Sequence, residues 1–152
     1  KLKKKIDQSK KAHKVKLLYF SERNDKYFAS WKGDPKKSGG IIMNVGVHFF
    51  DMLMWLFGSI SEIHLKKKTK ELAEGNLQFH KAFVKWKLHL KNKNSKNLKV
   101  NRIITIDKKD IKFSKTFKSL HVQNYRQILK SKKSNLIEAL KSIKLINQIN
   151  EI

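Results

Sequence analysis

An alternation of apolar residues with mostly polar ones between positions 82 and 91 constrains the fold more than any other feature. Its apolar positions are Ala82, Val84, Trp86, Leu88 and Leu90. Its alternate positions are Phe83, Lys85, Lys87, His89 and Lys91. Because successive side chains of a strand point to opposite faces, this period of two predicts an antiparallel sheet with one packed face and one exposed face.

Other segments predict the elements that surround this strand. Short runs of β-branched and aromatic residues predict strands at 15–20, 27–31, 62–67, 98–106 and 111–113, the last two joined by a turn at 107–110. Helical periodicity covers 41–57, where Gly58 is suited to a C-cap, and also 120–129 and 136–149. The predicted fold class is therefore α+β, an open-faced, mostly antiparallel sheet of about five strands with helices packed on one face.

Composition sets the size and class of the chain. Its 152 residues, 39% of them hydrophobic, with one proline and six glycines, predict one globular domain. We expect residues 1–14 to be a lysine-rich leader, the end of a connecting helix or linker, and residues 15–152 to form the domain. The absence of cysteine excludes disulfides, thiolate zinc sites and cysteine nucleophiles. The longest strongly apolar stretch, 45–57, is shorter than the roughly 20 residues that a bilayer requires, so no membrane span is predicted.

The charge balance is strongly basic, with 36 Lys and Arg against 12 Asp and Glu and a net charge of +24. Only three of the basic residues are arginine, whereas proteins that read bases use the planar guanidinium fork. The composition therefore predicts a solvated lysine surface and no specific nucleic-acid partner. A polyanion-binding basic protein is the alternative, and it requires the lysines to gather on one face.

Three polar residues mark one edge of the apolar helix. At 100° per residue, Asn44, His48 and Asp51 project within about 60° of one another, and Trp55 continues the stripe. Because burial of such groups is costly unless they are hydrogen-bonded, they either satisfy each other or face a cleft. Asp51 could orient His48 for acid–base chemistry, and the alternative is a core histidine with a structural partner. No metal site is expected.

The segment from Tyr27 to Gly58 resembles the C-terminal domain of the Gfo/Idh/MocA oxidoreductases, in which a Gly-Gly turn leads into a helix with a polar residue, Gly-x-His and a following Asp. Similarity is greater to the branch that oxidises the 3-hydroxyl of UDP-N-acetylglucosaminuronic acid. The motifs of that branch are Ser-Trp-Lys-Gly-Asp at 30–34, Asn-x-Gly-x-His-Phe-Phe-Asp at 44–51, Leu-His at 120–121 followed by Tyr125, and Val-Asn-Arg-Ile-Ile-Thr-Ile-Asp at 100–107.

The resemblance implies roles for individual residues. His48 would lie beside the hydroxyl being oxidised, as acid–base group or hydrogen-bond partner. Asn44 stands where many relatives carry Asp, and since an amide cannot accept the proton, it would position the sugar. The further substrate-binding candidates are Arg23, Trp31 and Lys32, for a carboxylate or diphosphate, and His121, which would reach the cleft. Lys32 as one more solvated lysine and Trp31 as a core residue are the alternatives.

The resemblance also implies NAD as cofactor, held mainly by an N-terminal Rossmann domain. The sequence contains neither a G-x-G-x-x-G loop nor the Glu-Lys-Pro motif of such enzymes. The chain is therefore expected to be a fragment without the cofactor half or a truncated product. The predicted function is the substrate-binding half of a cytoplasmic sugar-nucleotide dehydrogenase of surface polysaccharide biosynthesis, homo-oligomeric through its open sheet face. A non-catalytic, detached oligomerisation module is the alternative.

Overall fold

A computed structural model of the chain describes residues 2–92, 101–112 and 136–152. Its helices are α1 (Leu2–Gln8), α2 (Asp25–Ala29), α3 (Pro35–Ser38), α4 (Val47–Phe57) and α5 (Leu136–Glu151), with a 3-10 turn at Trp31–Gly33 and a π-helical turn at Ile42–Gly46. Its strands are β1 (His13–Arg23), β2 (Ile60–Lys68), β3 (Leu72–Phe79), β4 (Ala82–Asn92), β5 (Asn101–Ile106) and β6 (Lys109–Lys112). The predicted helix at 120–129 lies outside the described residues.

The six strands form one open sheet in the order β2-β3-β4-β1-β5-β6. Strand β1 pairs in parallel with β4, and the other four pairings are antiparallel. The predicted α+β class with a mostly antiparallel sheet is therefore confirmed. The parallel pair was not predicted, because alternation identifies a half-buried strand without giving the direction of its neighbour. A parallel pair requires a long crossover, and here the chain from β1 to β4 includes α2 to α4, β2 and β3.

Strand β3 is missing from the sequence prediction. Its inward positions include Ala73 and Gly75, which have too little apolar side chain to give a strong alternation. Gly75 lies opposite Trp86 of β4, and a Cβ atom at Gly75 would lie 3.0 Å from Trp86 Cζ2 and against the backbone oxygen of His64. The small residue therefore allows the Trp86 ring to pack on the backbone of β3.

The strand predicted at 27–31 is wrong, since these residues form α2 and the start of the 3-10 turn. Asn24 caps α2, and its side chain accepts a 3.1 Å hydrogen bond from the Tyr27 amide. Ser30 caps the next turn by accepting from the Lys32 amide at 3.3 Å. These two caps favour helical turns over the weak extended preference of a short aromatic run.

The hydrophobic core lies between the inner face of the sheet and the helices. Phe50 and Leu53 of α4, together with Ile146 and Ile149 of α5, are completely buried against strand residues. Ile6 of α1 is 2% exposed and belongs to the same cluster. The helix predicted at 136–149 is confirmed as α5, and the one at 41–57 as the π-helical turn followed by α4, which ends at Gly58 with φ 87°.

One apolar helical stretch, Pro35–Phe57, reaches 23 residues with a mean hydropathy of 1.5, the length and composition of a membrane span. It is longer than the stretch recognised in the sequence. However, Gly39 and Gly40 interrupt it with φ values of 71° and 70°, and its last part packs against the sheet as α4. The glycine break and the packing against the sheet are typical of a core helix in a folded domain. The length and hydropathy of this stretch are therefore only weak evidence for a membrane span.

The turn predicted at 107–110 is confirmed as the β5–β6 hairpin. Its two central residues, Asp107 and Lys108, adopt left-handed backbone conformations with φ values of 46° and 69°. The Asp107 carboxylate accepts from the Lys14 amide at 2.9 Å and lies 2.6 Å from His13 Nδ1. This bond to His13 and the backbone bond from Lys14 lower the pKa of Asp107 from its ordinary value of 3.8. The hairpin is thereby tied to the start of β1.

Candidate functional site

The segment that leads into α4 positions Asn44 through backbone geometry. Gly39, in the left-handed region, ends α3, and a Cβ atom there would lie 2.7 Å from Met43 Cβ. The chain then forms the π-helical turn Ile42–Gly46, which contains Asn44. Such turns are wider than the α-helix and are frequent at functional sites. The Gly-Gly break and the π-helical turn together determine the direction in which the Asn44 side chain projects from the helix.

A cavity of about 320 Å³ opens between β1, β5 and the start of α4. It is lined by Tyr19, Arg23, Asn44, Val45, His48, Phe49, Met52 and Arg102. Two arginines, an amide and an imidazole therefore converge on one apolar pocket, and no carboxylate of the described residues lines it. This is the composition expected of a binding site for a polar anion, because apolar walls surround a few polar groups of fixed position.

His48 is exposed at the mouth of this cavity. Within the described ranges it makes no hydrogen bond. The alternative of a core histidine with a structural partner is therefore wrong. An imidazole beside a cavity, with both ring nitrogens unengaged by the described residues, is able to accept or donate a proton at a bound ligand.

Tyr19 organises the two arginines. Its phenol oxygen accepts a 3.3 Å hydrogen bond from Arg23 Nη2, and the Arg102 guanidinium carbon lies 5.3 Å from the centre of its ring. Arg23 Nη1 also donates to Ser21 Oγ at 2.8 Å and to the Glu22 carbonyl at 3.2 Å. Three of the five guanidinium N–H groups of Arg23 are thus engaged, which leaves two for a ligand.

Arg102 lines the cavity, and the sequence interpretation did not name it as a candidate site residue. It is exposed, and it forms no salt bridge with any residue that the structure describes. Strand β5 pairs Arg102 with Tyr19, so both project from the inner face, where Ile104 and Ile106 are buried. A charged residue at an inward position of an alternating strand is unusual. That position was the signal that could have identified it.

Asn44 is fixed from the opposite side. Its Nδ2 atom donates a 3.2 Å hydrogen bond to the backbone carbonyl of Lys32 in the 3-10 turn. Since a carbonyl can only accept, the amide nitrogen faces the turn and the amide oxygen is the atom available to a ligand. Asn44 and His48 were predicted to lie side by side, and both line the same cavity. Asn44 presents a hydrogen-bond acceptor there.

Asp51 does not line the first cavity, although His48 does. It accepts a 2.7 Å hydrogen bond from Ser142 Oγ of α5, and within the described part of the chain it makes none with His48. The expectation that Asp51 orients His48 is therefore wrong. His48 and Asp51 both lie in regular α4, so the period of 100° per residue holds between them, but Asp51 pairs with Ser142 of α5, a contact that helical spacing alone does not reveal.

A second groove, of about 550 Å³, lies between α4 and α5 on the other side of His48. It is lined by Val47, His48, Asp51, Met54, Trp55, Ala139, Ser142 and Ile143. Trp55 is 62% exposed along it. His48 belongs to both openings and therefore stands on the ridge between them.

The remaining predicted residues differ in their positions. Arg23 lines the cavity, whereas Trp31 and Lys32 lie in the neighbouring 3-10 turn, outside its lining. Trp31 is 57% exposed, so its interpretation as a core residue is wrong. His121 lies outside the described residues. In the part of the chain that the structure describes, no group of three His, Asp or Glu side chains could hold a metal ion.

The lysines do not gather on one face. They occur on α1, on α3, on the outer face of the sheet and on α5. On the outer face, Lys16 and Lys85 are direct neighbours on adjacent strands, and Lys87 forms a 2.9 Å salt bridge with Glu74. The pKa of Glu74 is lowered by this bond. This spread favours a solvated basic surface over a polyanion-binding patch.

Comparison with protein families identifies the fold. A model described as the C-terminal alpha/beta domain of an oxidoreductase family, Gfo/Idh/MocA, matches residues 3–105. The match includes every residue found to line the first cavity, among them Tyr19, Arg23, Asn44, His48 and Arg102.

Solved structures agree with that match. The chain is 33% identical to the WlbA (WbpB) dehydrogenase of Thermus thermophilus in complex with NAD and alpha-ketoglutarate, with a TM-score of 0.88 over 98% of this chain and 50% of that one. The same dehydrogenase in complex with NAD and UDP-GlcNAcA gives 32% identity, a TM-score of 0.87 and the same two coverages. The WlbA dehydrogenase of Bordetella pertussis, with NADH and UDP-GlcNAcA, shares the fold at 20% identity and a TM-score of 0.73, over 99% of this chain and 55% of that one. The chain thus spans about half the length of these structures.

Proposed function

The chain belongs to the Gfo/Idh/MocA family of NAD-dependent oxidoreductases, as its C-terminal α/β domain, and we propose that it is the substrate-binding half of a sugar-nucleotide dehydrogenase. Its substrate is a UDP-N-acetylglucosaminuronic acid, oxidised at the 3-hydroxyl. The observation that carries this proposal is the cavity in which His48 and Asn44 face two arginines, with no carboxylate among its described lining residues. The Thermus thermophilus relative, bound to UDP-GlcNAcA, supports the same substrate class.

The two arginines suit the acidic group of such a sugar. Arg102 stacks on Tyr19 and keeps its N–H groups for a ligand, and Arg23 has two N–H groups left. A guanidinium binds a carboxylate through two parallel hydrogen bonds, which gives orientation as well as affinity. The uronic acid carboxylate is therefore held at the Tyr19 side of the cavity.

His48 and Asn44 act at the hydroxyl. Oxidation of a secondary alcohol removes a proton from the hydroxyl oxygen and a hydride from the carbon that carries it. His48 accepts the proton. Asn44 cannot accept a proton, but its amide oxygen, turned away from Lys32, accepts a hydrogen bond from a sugar hydroxyl and so holds the ring in position.

The described residues do not by themselves fit NAD. Among the described residues that line the groove beside His48, none has a cationic side chain that is suited to a diphosphate, and the sequence contains no G-x-G-x-x-G loop. We therefore assign cofactor binding to a Rossmann domain outside this sequence. The roles derived for this chain are limited to binding the substrate and moving its proton. We propose that the enzyme acts in the cytoplasm, and a chain without cysteine is compatible with that reducing compartment.

A chimeric enzyme tests the proposal. This chain replaces the matching half of the Thermus thermophilus dehydrogenase, and NADH formation is measured with UDP-N-acetylglucosaminuronic acid and with UDP-N-acetylglucosamine, which lacks the carboxylate. The chimera is expected to oxidise the first in preference to the second. Arg102→Gln should lower kcat/KM for the acidic substrate roughly 10- to 100-fold, the loss of a charge-assisted hydrogen bond.

The matched control is Lys85→Gln, which removes one positive charge from the outer face of the sheet, away from the cavity. It should leave kcat/KM unchanged. Equal rates on the two sugars, or no effect of Arg102→Gln, would show that the cavity does not recognise the carboxylate. A folded chimera that oxidises neither sugar would reject the substrate class.

A further inference from the structure

The guanidinium group of Arg23 is held by neutral groups of the described residues. Its Nη1 atom donates to Ser21 Oγ at 2.8 Å and to the Glu22 carbonyl at 3.2 Å, and its Nη2 atom donates to the Tyr19 phenol oxygen at 3.3 Å. The guanidinium carbon lies 5.3 Å from the centre of the Tyr27 ring. No acidic side chain of the described ranges forms a salt bridge with Arg23. The arginine is therefore oriented while its positive charge remains available to a ligand.

Ser21 is a polar residue at an inward position of β1. Val15 and Leu17 precede it on the same face, and all three are buried, Ser21 with 2% exposure. A buried hydroxyl is costly unless it is hydrogen-bonded. The bond from Arg23 is the shorter of its two printed contacts, since the bond that Ser21 Oγ donates to the Glu22 carbonyl is 3.4 Å long. The contact with Arg23 therefore explains a serine at this apolar position.

Tyr27 reaches Arg23 because α2 begins two residues after the arginine. The first turn of α2 is fixed by Asn24, which accepts from the Tyr27 amide at 3.1 Å. The Tyr27 ring packs edge-on against Phe28, with 5.5 Å between the ring centres. A Cβ atom at Gly33 would lie 2.3 Å from the Phe28 carbonyl oxygen, so α2 lies directly against the 3-10 turn. The position of the Tyr27 ring is thus determined by its own surroundings before any ligand arrives.

Ser21 and Tyr27 are not among the described residues that line the first cavity, whereas Arg23 is. Both residues therefore contact the arginine and not the space in which a ligand would lie. A long side chain that rotates freely must be ordered when a ligand binds, and this ordering costs affinity. Contacts that order Arg23 beforehand raise the affinity for an anion without touching it.

We propose that Ser21 and Tyr27 are positioning residues, which orient Arg23 toward the acidic group of the substrate and so contribute to specificity for it. This proposal rests on the proposed function, in which the two arginines of the cavity bind a uronic acid carboxylate. A carboxylate beside Arg23 would also orient the guanidinium group, but it would compete with the acidic substrate. A hydroxyl and an aromatic face orient the same group and leave its charge for the ligand.

Steady-state kinetics of the chimeric dehydrogenase tests the effect on the substrate. Ser21→Ala and Tyr27→Leu should each raise KM for UDP-N-acetylglucosaminuronic acid roughly 3- to 10-fold, the cost of ordering one arginine side chain on binding. In both variants kcat should stay near its original value, because His48 and Asn44 are unchanged. KM for UDP-N-acetylglucosamine, which has no carboxylate, should not change.

Two control variants accompany these substitutions. Tyr27→Phe keeps the aromatic face and should retain the original KM for the acidic sugar. Ser61→Ala removes an exposed serine hydroxyl from β2 and should leave both kinetic constants unchanged. Circular dichroism checks that each variant is folded.

NMR of the arginine side chains tests the orientation of Arg23 without substrate or cofactor. The sequence contains only three arginines, so their side-chain N–H signals can be assigned by substituting each with lysine. The hydrogen bonds of Arg23 should slow the rotation of its Nη groups, so that their N–H signals are separate at low temperature. Ser21→Ala should merge these signals, and Ser61→Ala should not.

Unchanged KM in Ser21→Ala and Tyr27→Leu would overturn the proposal, and the proposed function would stand if Arg102→Gln still lowered kcat/KM for the acidic sugar. A rise in KM that is equal for the two sugars, or a loss confined to kcat, would overturn it as well, because neither depends on the carboxylate. A chimera that oxidises neither sugar would reject the substrate. Merged Arg23 signals in Ser21→Ala would then still support the orientation of Arg23 by Ser21.

Discussion

Ser142 Oγ on α5 donates a 2.7 Å hydrogen bond to Oδ1 of Asp51 on α4. Ser142 is 2% exposed, whereas Asp51 is exposed. The bond joins two helices that pack on each other across the groove beside His48. Asp51 therefore acts on the position of α4, the helix that carries His48, rather than on His48 directly.

Ser142→Ala should lower the free energy of unfolding by about 1.5 kcal/mol, because a buried hydroxyl that donates to a carboxylate is lost. Urea unfolding followed by circular dichroism measures the change. Ser61→Ala is the control, since Ser61 is exposed and donates only a 3.3 Å bond to the Gln78 carbonyl. Equal effects of the two substitutions would contradict a structural role for the helix–helix bond.

Lys108→Gly should raise the stability of the chain. Lys108 adopts φ 69° at the second central position of the β5–β6 turn, a conformation that glycine adopts without cost and that two-residue hairpins favour as Asp-Gly. The expected gain in unfolding free energy is about 0.5 kcal/mol, since greater freedom of the unfolded chain offsets part of the relieved strain. Lys109→Gly, inside β6, should destabilise the chain, and a gain there would contradict the explanation.

Asp107 should make stability depend on pH in the acidic range. The bond to His13 lowers its pKa from 3.8 in the folded state, so ionised Asp107 stabilises the fold above that value. The stabilisation is lost as the pH falls through the lowered folded pKa. Asp107→Asn should therefore be less stable than the original chain at about pH 6, and the difference should shrink as the pH falls below 3.8. A difference in urea midpoint that stays constant across this range would refute the linkage.

The outer face of the sheet should pair subunits. Phe83 and Ile103 are half-buried on it and add apolar area, while Lys16 and Lys85 oppose association by repulsion. Since salt screens exposed charges, light scattering should detect a dimer or tetramer that is more stable at about 0.5 M than at about 0.05 M salt. Ile103→Lys should yield monomers. A monomer at every salt concentration would reject the outer face as an interface.

Much of this architecture could be predicted from periodicity. The alternation in β4, the helix that ends at Gly58 and the amphipathic α5 each carry a strong repeating pattern, and each was correctly identified. Strand β3 was not, because Ala73 and Gly75 leave the first half of its inner face without large side chains and so weaken the alternation. The pairing of β1 with β4 could not be predicted from the sequence either, since it depends on contacts between segments far apart in the chain.

The site could be predicted only in part, because some of its residues come from segments far apart in the chain. The motif around His48 identified two members of the cavity, Asn44 and His48, and Arg23 was proposed as a third. Arg102 comes from β5, and only the pairing of β5 with β1 brings it to Tyr19. The bond of Asp51 to Ser142 could not be predicted from spacing along α4, because it depends on α5, a helix far from α4 in the sequence.

Steady-state kinetics of the chimeric dehydrogenase with His48→Ala and Asn44→Ala tests the central claim most directly. His48→Ala should lower kcat roughly 100- to 10,000-fold, because the group that accepts the hydroxyl proton is lost, whereas Asn44→Ala should mainly raise KM. The substrate is UDP-N-acetylglucosaminuronic acid, and turnover is followed by NADH absorbance. Near-normal turnover in a correctly folded His48→Ala enzyme would contradict the account and leave the cavity without a proton acceptor.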